Sequence, residues 1–277
     1  MTLPADSHVH SQWSWDAPAG SMTDSCRRAL DLGLPAIAFT EHLDHTVWRV
    51  AMDDLAPDDH LVRMSENGFL PPPAFDAEGY LDAVEECRGR FPDLRILSGL
   101  ELGEPHRHGT QVEAVLRSGD FDRLLGSVHS LRIRGEYAEP PGLYLELEPA
   151  EVLNDYLAEV VALANSGGSF QILAHIDYPI RTWPPAADPF DPLDFEERFR
   201  EALGAVAASG RALEVSSKVP LHRLILRWWR EEGGQAVSFG SDAHEPTVVA
   251  RGFREAVHLA ESEGFRPGAN PFDLWGR

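Results

Sequence analysis

The chain has 277 residues, of which 43% are apolar, so it is long enough for one barrel-sized domain and apolar enough to bury a substantial core. Its 45 acidic residues against 24 basic residues give a net charge of −21, which opposes binding to nucleic acid and to anionic lipid surfaces. A small anionic ligand stays compatible with this charge if carboxylates bind divalent cations, because bound cations offset negative charge locally.

Seven short apolar runs, bounded by turn residues, are predicted to be β-strands. In chain order they are Ala5–His10, Ala36–Glu41, Arg95–Leu102, Leu124–Leu131, Gln171–Ile176, Ala212–Ser216 and Ala236–Ser241. Helical periodicity lies between them, at Thr23–Leu32, Ala77–Arg90, Ala150–Asn165, Phe195–Ser209, Leu221–Glu232 and Thr247–Glu263. Strands joined by helical crossovers pair in parallel, and ligand-type residues at nearly every strand end favour a closed barrel over an open sheet. The predicted fold class is therefore α/β, a TIM-like barrel of seven strands in a single domain.

Two connections after strand ends are predicted to cover the mouth of this barrel. Residues 42 to about 75 carry many acidic residues and a Pro71-Pro72-Pro73 run, and a connection of this length is uncommon unless it has a function. Residues 178–192 contain Arg181, Trp183 and several prolines, which make the connection stiff. We predict that the first connection is a lid and the second a wall of the same pocket.

The two cysteines and the start of the chain indicate a reducing compartment. Cys26 and Cys87 fall in predicted helices without C-x-x-C spacing, so we expect free thiols and no disulfide or zinc ribbon. A strand begins at about residue 4, and no apolar run approaches the roughly 18 residues of a membrane helix. We expect a cytoplasmic protein with no membrane partner, and a homo-oligomer is compatible with the sequence.

The strand ends are rich in side chains that bind metal ions. Asp6, His8 and His10 alternate in the first run, so all three share the inner face of the barrel. The second to fifth and the seventh runs close with Glu41-His42, Glu101, His129, His175 and Asp242-Ala243-His244. Imidazole and carboxylate groups together suit zinc, iron or manganese, and this number of groups exceeds what one ion binds. The pattern therefore predicts more than one divalent ion, against the alternative of hydrogen-bonded core histidines.

These motifs resemble those of the polymerase and histidinol phosphatase (PHP) family over nearly the whole chain. The matching segments are His8-Val9-His10, Asp16, Glu41-His42, Glu101, Gly126-Ser127-Val128-His129-Ser130, His175 and Gly240-Ser241-Asp242-Ala243-His244. The resemblance implies a distorted (β/α)7 TIM-like barrel with three divalent metal ions per chain. Within the family, the chain is most similar to the histidinol-phosphate phosphatase branch.

The resemblance also assigns nine metal ligands to three ions. One ion would be held by His8, His10, Glu101 and Asp242, a second by Glu101, His129 and His175, and a third by Asp16, His42 and His244. Glu101 would thus bridge two ions. Asp16 has an alternative interpretation, because a loop carboxylate could instead cap the helix that begins near Thr23.

The chemistry expected at such a site is hydrolysis of a small phosphate monoester, with histidinol phosphate as the first substrate to test. Two ions that share a carboxylate can share a hydroxide nucleophile, because a bound cation lowers the pKa of water from about 15.7 toward about 7. Arg181, Lys218 and Arg132 are predicted to bind the substrate phosphate. His45 is predicted to protonate the leaving alkoxide as a general acid, with an exposed loop histidine as the alternative.

Two other functions stay open at this point. A metal-dependent amidohydrolase also begins with H-x-H on a barrel strand, but it usually has a carboxylated lysine at the fourth strand, where this chain has His129. A non-catalytic, metal-stabilised binding module would use the same ligands and predicts closed coordination with no open position. A proofreading nuclease is disfavoured by the acidity of the chain.

Overall fold

Seven parallel strands form one curled sheet in the computed structural model, which describes residues 3–52, 55–56 and 59–277. Numbered in chain order with the other strands, they are β1 (Asp6–Val9), β2 (Ala36–Leu43), β5 (Arg95–Gly103), β6 (Arg123–Ser127), β9 (Ile172–Leu173), β10 (Ala212–Ser216) and β11 (Ala236–Gly240). Neighbours in this order are hydrogen-bonded in parallel. A short antiparallel strand, β12 (Trp275–Gly276), pairs with β11.

The sheet closes on itself at the carboxyl ends of the strands. Val9 forms a parallel bridge with Ala243. The Asp242 amide donates to the His8 carbonyl at 2.8 Å, and the His10 amide donates to the Ala243 carbonyl at 2.8 Å. These bonds join the first strand to the segment that follows the seventh. The predicted single-domain, distorted (β/α)7 TIM-like barrel is therefore confirmed.

All six predicted helices are present; α3 has the predicted ends, and the other five differ from the prediction by one to six residues at one or both ends. They are α1 (Met22–Leu32), α3 (Ala77–Arg90), α6 (Pro149–Asn165), α7 (Glu196–Ala208), α8 (Arg223–Glu231) and α9 (Phe253–Ser262). The prediction for the last helix begins too early, because Ala250 (φ 53°) and Gly252 (φ 75°) adopt left-handed backbone conformations that interrupt a helix. Residues Pro246–Val248 form a separate 3-10 turn.

Two predicted strands are too long. Leu124–Leu131 ends as β6 at Ser127, because the amides of His129 and Ser130 donate to the Glu104 carboxylate at 2.7 and 2.8 Å instead of continuing the strand. Only two residues of the predicted strand Gln171–Ile176 form β9. His175 is not extended, because its φ is 20°. In both cases the strand ends two residues before a predicted metal ligand, His129 or His175.

The sequence did not predict the small second sheet beside the barrel mouth. It consists of β4 (Phe69–Leu70), β3 (Trp48–Arg49), β8 (Glu136–Ala138) and β7 (Leu131–Ile133), in this spatial order. Three short helices, α2 (His60–Met64), α4 (Gly109–Leu116) and α5 (Pro140–Leu143), were also not predicted. The β3–β8 pair ties the connection 42–75 to the hairpin after β6, while Asp53, Asp54 and Asp58 of the predicted lid lie outside the described residues.

The core lies between the barrel sheet and its helices. Trp229, Tyr156 and Phe199 are among its largest fully buried side chains. Cys26 and Cys87 are buried free thiols, as the sequence predicted. Within residues 3–52, 55–56 and 59–277, no helix combines the length and the apolar character needed to cross a membrane.

Candidate metal centre

All nine predicted metal ligands meet at the barrel mouth. They come from β1 and the turn after it, from β2 and β5, and from the turns after β6, β9 and β11: His8, His10, Asp16, His42, Glu101, His129, His175, Asp242 and His244. Their ligand atoms form overlapping groups in which the atoms of each group lie within 4.8 Å of one another. A cavity of about 130 Å³ opens above them. Because the carboxyl ends of the parallel strands meet at one mouth, residues more than 200 positions apart in sequence lie side by side.

The Glu101 carboxylate lies at the centre of this cluster and is 1% exposed. Its Oε2 atom is 3.1 Å from His8 Nε2 and 3.4 Å from His10 Nε2. Its Oε1 atom is 3.1 Å from His129 Nε2 and 2.7 Å from His175 Nε2. His42 Nδ1 is also 3.4 Å from Oε2, so each carboxylate oxygen lies beside at least two imidazoles, as expected of a carboxylate shared between cations.

Asp16 belongs to a second part of the cluster. Its Oδ2 atom is 2.8 Å from His244 Nε2 and 3.3 Å from His42 Nε2, and His10 completes a group of four. The alternative interpretation of Asp16 as a helix cap is wrong, because the side chain of Ser21 caps α1 by accepting from the Asp24 amide. Asp16 is therefore available as a ligand.

The hydrogen bonds around His8 and His10 require positive charge between these two rings. His8 Nδ1 lies 2.6 Å from Glu214 Oε2 and donates its proton there, so the neutral ring presents a lone pair at Nε2. Ser14 Oγ donates to Glu41 at 2.6 Å and therefore accepts from His10 Nδ1 at 2.9 Å, so His10 Nε2 also presents a lone pair. The two Nε2 atoms face each other at 3.1 Å beside the Glu101 carboxylate. This donor set fits a divalent cation.

The acid–base properties of the cluster agree with cation binding. Burial, together with His244 and His42, lowers the pKa of His10 well below its usual range, and burial lowers the pKa of His175 to about 4. Burial opposes protonation of His8, His42 and His129 as well, but the surrounding carboxylates outweigh it and raise the pKa of these three imidazoles. The carboxylates create an excess of negative charge that protons or metal ions can neutralise.

The backbone is strained at two of the predicted ligands. His175 has a φ of 20° and Asp242 a φ of 50°, although neither is glycine. Such conformations cost on the order of 1–3 kcal/mol each and persist where the surrounding structure holds them. Tyr156 Oη donates to the His175 carbonyl at 2.9 Å, and the Asp242 amide is held by the His8 carbonyl. Strain of this kind is typical of functional sites.

Two carboxylates that the sequence did not predict orient the histidines. Glu214, in β10, accepts from His8 Nδ1. Asp44 Oδ2 is 3.2 Å from His42 Nδ1, and Asp44 Oδ1 is 3.4 Å from His129 Nδ1. Carboxylates in these positions fix the ring that binds a metal and raise its basicity. Glu214 could have been found from its sequence position, since it shares the inner face of β10 with Ser216, two residues later.

Comparison with known proteins identifies the family. The model of the PHP domain family matches residues 6–218. The chain belongs to the PHP family. It is 31% identical to a probable histidinol-phosphatase of Deinococcus radiodurans over 96% of both chains, and 24% identical to a histidinol-phosphatase of Lactococcus lactis over 94% of this chain and 91% of that protein. The family predicted from the sequence is confirmed.

Solved structures with this PHP fold agree. A histidinol phosphate phosphatase of Lactococcus lactis, solved with zinc, L-histidinol and phosphate, superposes with a TM-score of 0.79 at 20% identity, covering 100% of this chain and 98% of that chain. A putative histidinol phosphatase of Listeria monocytogenes superposes with a TM-score of 0.67 at 16% identity, covering 91% and 99%. At these identities the structures confirm the fold alone.

In the folded PHP domain, two of the three basic side chains predicted to bind phosphate, Lys218 and Arg181, lie beside the candidate metal ligands. Lys218 lines the cavity, and its Nζ atom is 3.3 Å from Asp242 Oδ2. Arg181 forms a buried ion pair with the same Oδ2 atom and donates to Ser216 Oγ at 3.0 Å. Burial opposes ionisation of Asp242, but Lys218 and Arg181 lower its pKa well below the usual range.

The other two predicted site residues lie elsewhere on the PHP domain. Arg132 is exposed on β7. The His45 ring packs against His108, with the ring centroids 5.7 Å apart. Neither belongs to the described residues that line the metal cavity. Their positions therefore give no support to phosphate binding by Arg132 or to proton donation by His45.

Gly240 packs so tightly behind the metal cluster of the PHP domain that we expect Gly240→Ala to destabilise it. A Cβ atom at Gly240 would lie 2.7 Å from the Glu214 carboxylate and 2.7 Å from His8 Cβ. Overpacking of this kind costs about 1–3 kcal/mol, and here it also displaces His8. Thermal unfolding and zinc titration would measure both effects. Gly89→Ala in α3 is the control, since its Cβ meets nothing within 4 Å; an equal loss there would contradict the prediction.

Proposed function

We propose that this PHP-family protein hydrolyses histidinol phosphate at a centre of three divalent ions. The proposal assigns nine ligands: His8, His10, Asp16, His42, Glu101, His129, His175, Asp242 and His244. The observation that carries it is the Glu101 carboxylate, which lines an open cavity and has at least two imidazoles within 3.4 Å of each oxygen. The open cavity favours a catalytic site over a closed structural one.

The printed names of the relatives support this proposal. Proteins similar to this chain over more than nine-tenths of their length are named histidinol-phosphatases. Together with family membership, they confirm the enzyme class predicted from the sequence, a metal-dependent phosphomonoesterase. The choice of histidinol phosphate, the count of three ions and their identity as zinc, iron or manganese belong to the proposal.

In the proposed reaction, the residues of the chain hold the substrate and keep water out of the site. Bound divalent ions would supply a hydroxide nucleophile at neutral pH and neutralise the phosphoryl oxygens. The Lys218 ammonium, which is 44% exposed, can reach the phosphoryl group from the cavity wall. Arg181 is already paired with Asp242 and Ser216, so we assign it the positioning of Asp242. Trp15, Trp48 and Tyr178 line the cavity with rings that limit access of water.

An assay of the metal-loaded protein against a substrate panel tests the proposed function. The panel contains histidinol phosphate, other phosphate monoesters and cyclic amides. We expect hydrolysis of the monoesters, with the highest kcat/KM for histidinol phosphate. Faster turnover of a cyclic amide would favour the amidohydrolase alternative. Absence of turnover for every compound, in protein with full metal content, would favour the binding module.

A further inference from the structure

A second cavity adjoins the metal cavity, and Glu139 lies at the boundary between them. The second cavity measures about 90 Å³, and it shares Trp48, Leu61 and Glu139 with the lining of the metal cavity. Its remaining walls include apolar side chains such as Val50 and Pro141. Glu139 therefore borders both the metal cavity and a largely apolar space beside it.

The fold holds Glu139 at this boundary. Glu139 lies between β8 and α5, so the second sheet and a short helix fix its backbone on both sides. Glu139 is the N-cap residue of α5, but its side chain accepts no hydrogen bond from the amides of that helix. Glu139 lines both cavities, and its carboxylate is not used by the helix.

Within the part of the chain that the structure describes, the Glu139 carboxylate has no ion-pair partner. Arg49, a cation that lines the same second cavity, instead pairs with Glu146 and lies 3.4 Å from Glu136. Burial raises the pKa of Glu139 to about 7; His129 opposes this shift, and the carboxylates of Asp44 and Asp16 add to it. A cationic ligand beside this buried, unpaired carboxylate would favour its charged form.

We propose that Glu139 is a specificity-determining residue that binds a cationic group on the leaving alcohol of the substrate. This inference rests on the proposed phosphomonoesterase function and names the substrate class more closely: phosphate esters that carry an ammonium or imidazolium group. The phosphate would lie at the metal cluster beside Lys218, the cationic group at Glu139, and the apolar remainder in the second cavity against Trp48.

The test compares Glu139→Gln with the native protein on matched esters. 2-Aminoethyl phosphate and 2-hydroxyethyl phosphate differ in one cationic group, and histidinol phosphate is the third substrate. We expect the native protein to prefer the amino ester, and Glu139→Gln to lower kcat/KM for both cationic esters by about ten- to a hundredfold, chiefly through KM. Turnover of the hydroxy ester should stay within twofold. Glu148→Gln, an exposed position outside both cavities, is the matched control.

Other outcomes overturn the inference. An equal loss for amino and hydroxy esters, carried by kcat and accompanied by loss of the alkaline limb of the pH–rate profile, would make Glu139 a general acid. A native protein without preference for the amino ester would leave no cation selectivity to explain. If Glu139→Gln does not fold, Glu139→Met gives the same comparison at similar volume. Failure of histidinol phosphate alone, with the amino ester still preferred, would contradict the proposed substrate and leave the role of Glu139 intact.

Discussion

Glu101→Ala is expected to abolish hydrolysis of phosphate monoesters. The substitution removes both oxygens that separate the His8–His10 pair from the His129–His175 pair, and no other carboxylate among the described residues contacts both pairs. Removing one partner from a buried charged cluster costs about 3–5 kcal/mol. If this energy is lost from the transition state, kcat/KM falls by at least about a hundredfold.

The measurement combines kcat/KM with metal content, so that lost binding and lost chemistry can be separated. Glu101→Gln keeps the volume of the side chain and should be nearly as inactive, because an amide is a poor bridging ligand. Glu86→Ala, at an exposed position of α3, is the control and should retain activity. Native turnover by metal-loaded Glu101→Ala would refute the proposed centre.

Much of the barrel could be predicted because its strands and helices have local signals. Helix α3 and strand β10 begin and end where the sequence predicted. His8 and His10 could be placed on one inner face because side chains alternate along a strand, and the parallel strands then bring Glu101 and Asp242 to the same mouth. The closure of the barrel followed from the same pattern.

The second sheet could not be predicted for physical reasons. Its strands have two or three residues each, too few for an alternating pattern to be recognised. They are also joined by pairing between distant segments, such as Arg49 with Ala138. Arg132 and Glu139 lie on or beside this sheet, so the exposure of Arg132 and the position of Glu139 at the cavities could not be predicted.

Contacts between side chains and distant backbone groups could not be predicted from local sequence patterns either. The sequence predicts that Val128–Ser130 belong to the end of a strand. In the structure, the Glu104 carboxylate accepts hydrogen bonds from the amides of His129 and Ser130, and the chain turns there. Asp44 and Glu214 lie next to predicted ligands in space, but only the folded barrel shows which imidazole nitrogen each one contacts. The candidate ligands could thus be predicted from the strand ends, whereas the orientation of their rings depends on tertiary contacts.

Removal of divalent ions by chelation is expected to eliminate turnover and to destabilise the protein. The cluster contains the buried carboxylates of Glu101 and Asp242 beside six imidazoles, and bound divalent cations would offset the negative charge of its carboxylates. A ligand at a thousand times its dissociation constant stabilises a fold by about 4 kcal/mol, which corresponds to roughly 10 °C in Tm for a chain of this size. Addition of zinc, manganese or iron should restore activity, with full recovery at about three equivalents if three ions bind.

The metal-free protein should also lose stability as the pH rises above about 6.5. Although burial opposes it, the neighbouring carboxylates raise the folded-state pKa of His8, His42 and His129 above that of the unfolded chain. The folded state then binds more protons than the unfolded state, so this stabilisation is complete below the unfolded pKa and is lost as the pH passes through the folded pKa. Metal-loaded protein should show a flatter profile, because cations replace those protons. Thermal unfolding across this pH range, with and without chelator, measures the difference. In the chelation experiment, undiminished turnover in fully metal-free protein would refute the metal-dependent mechanism.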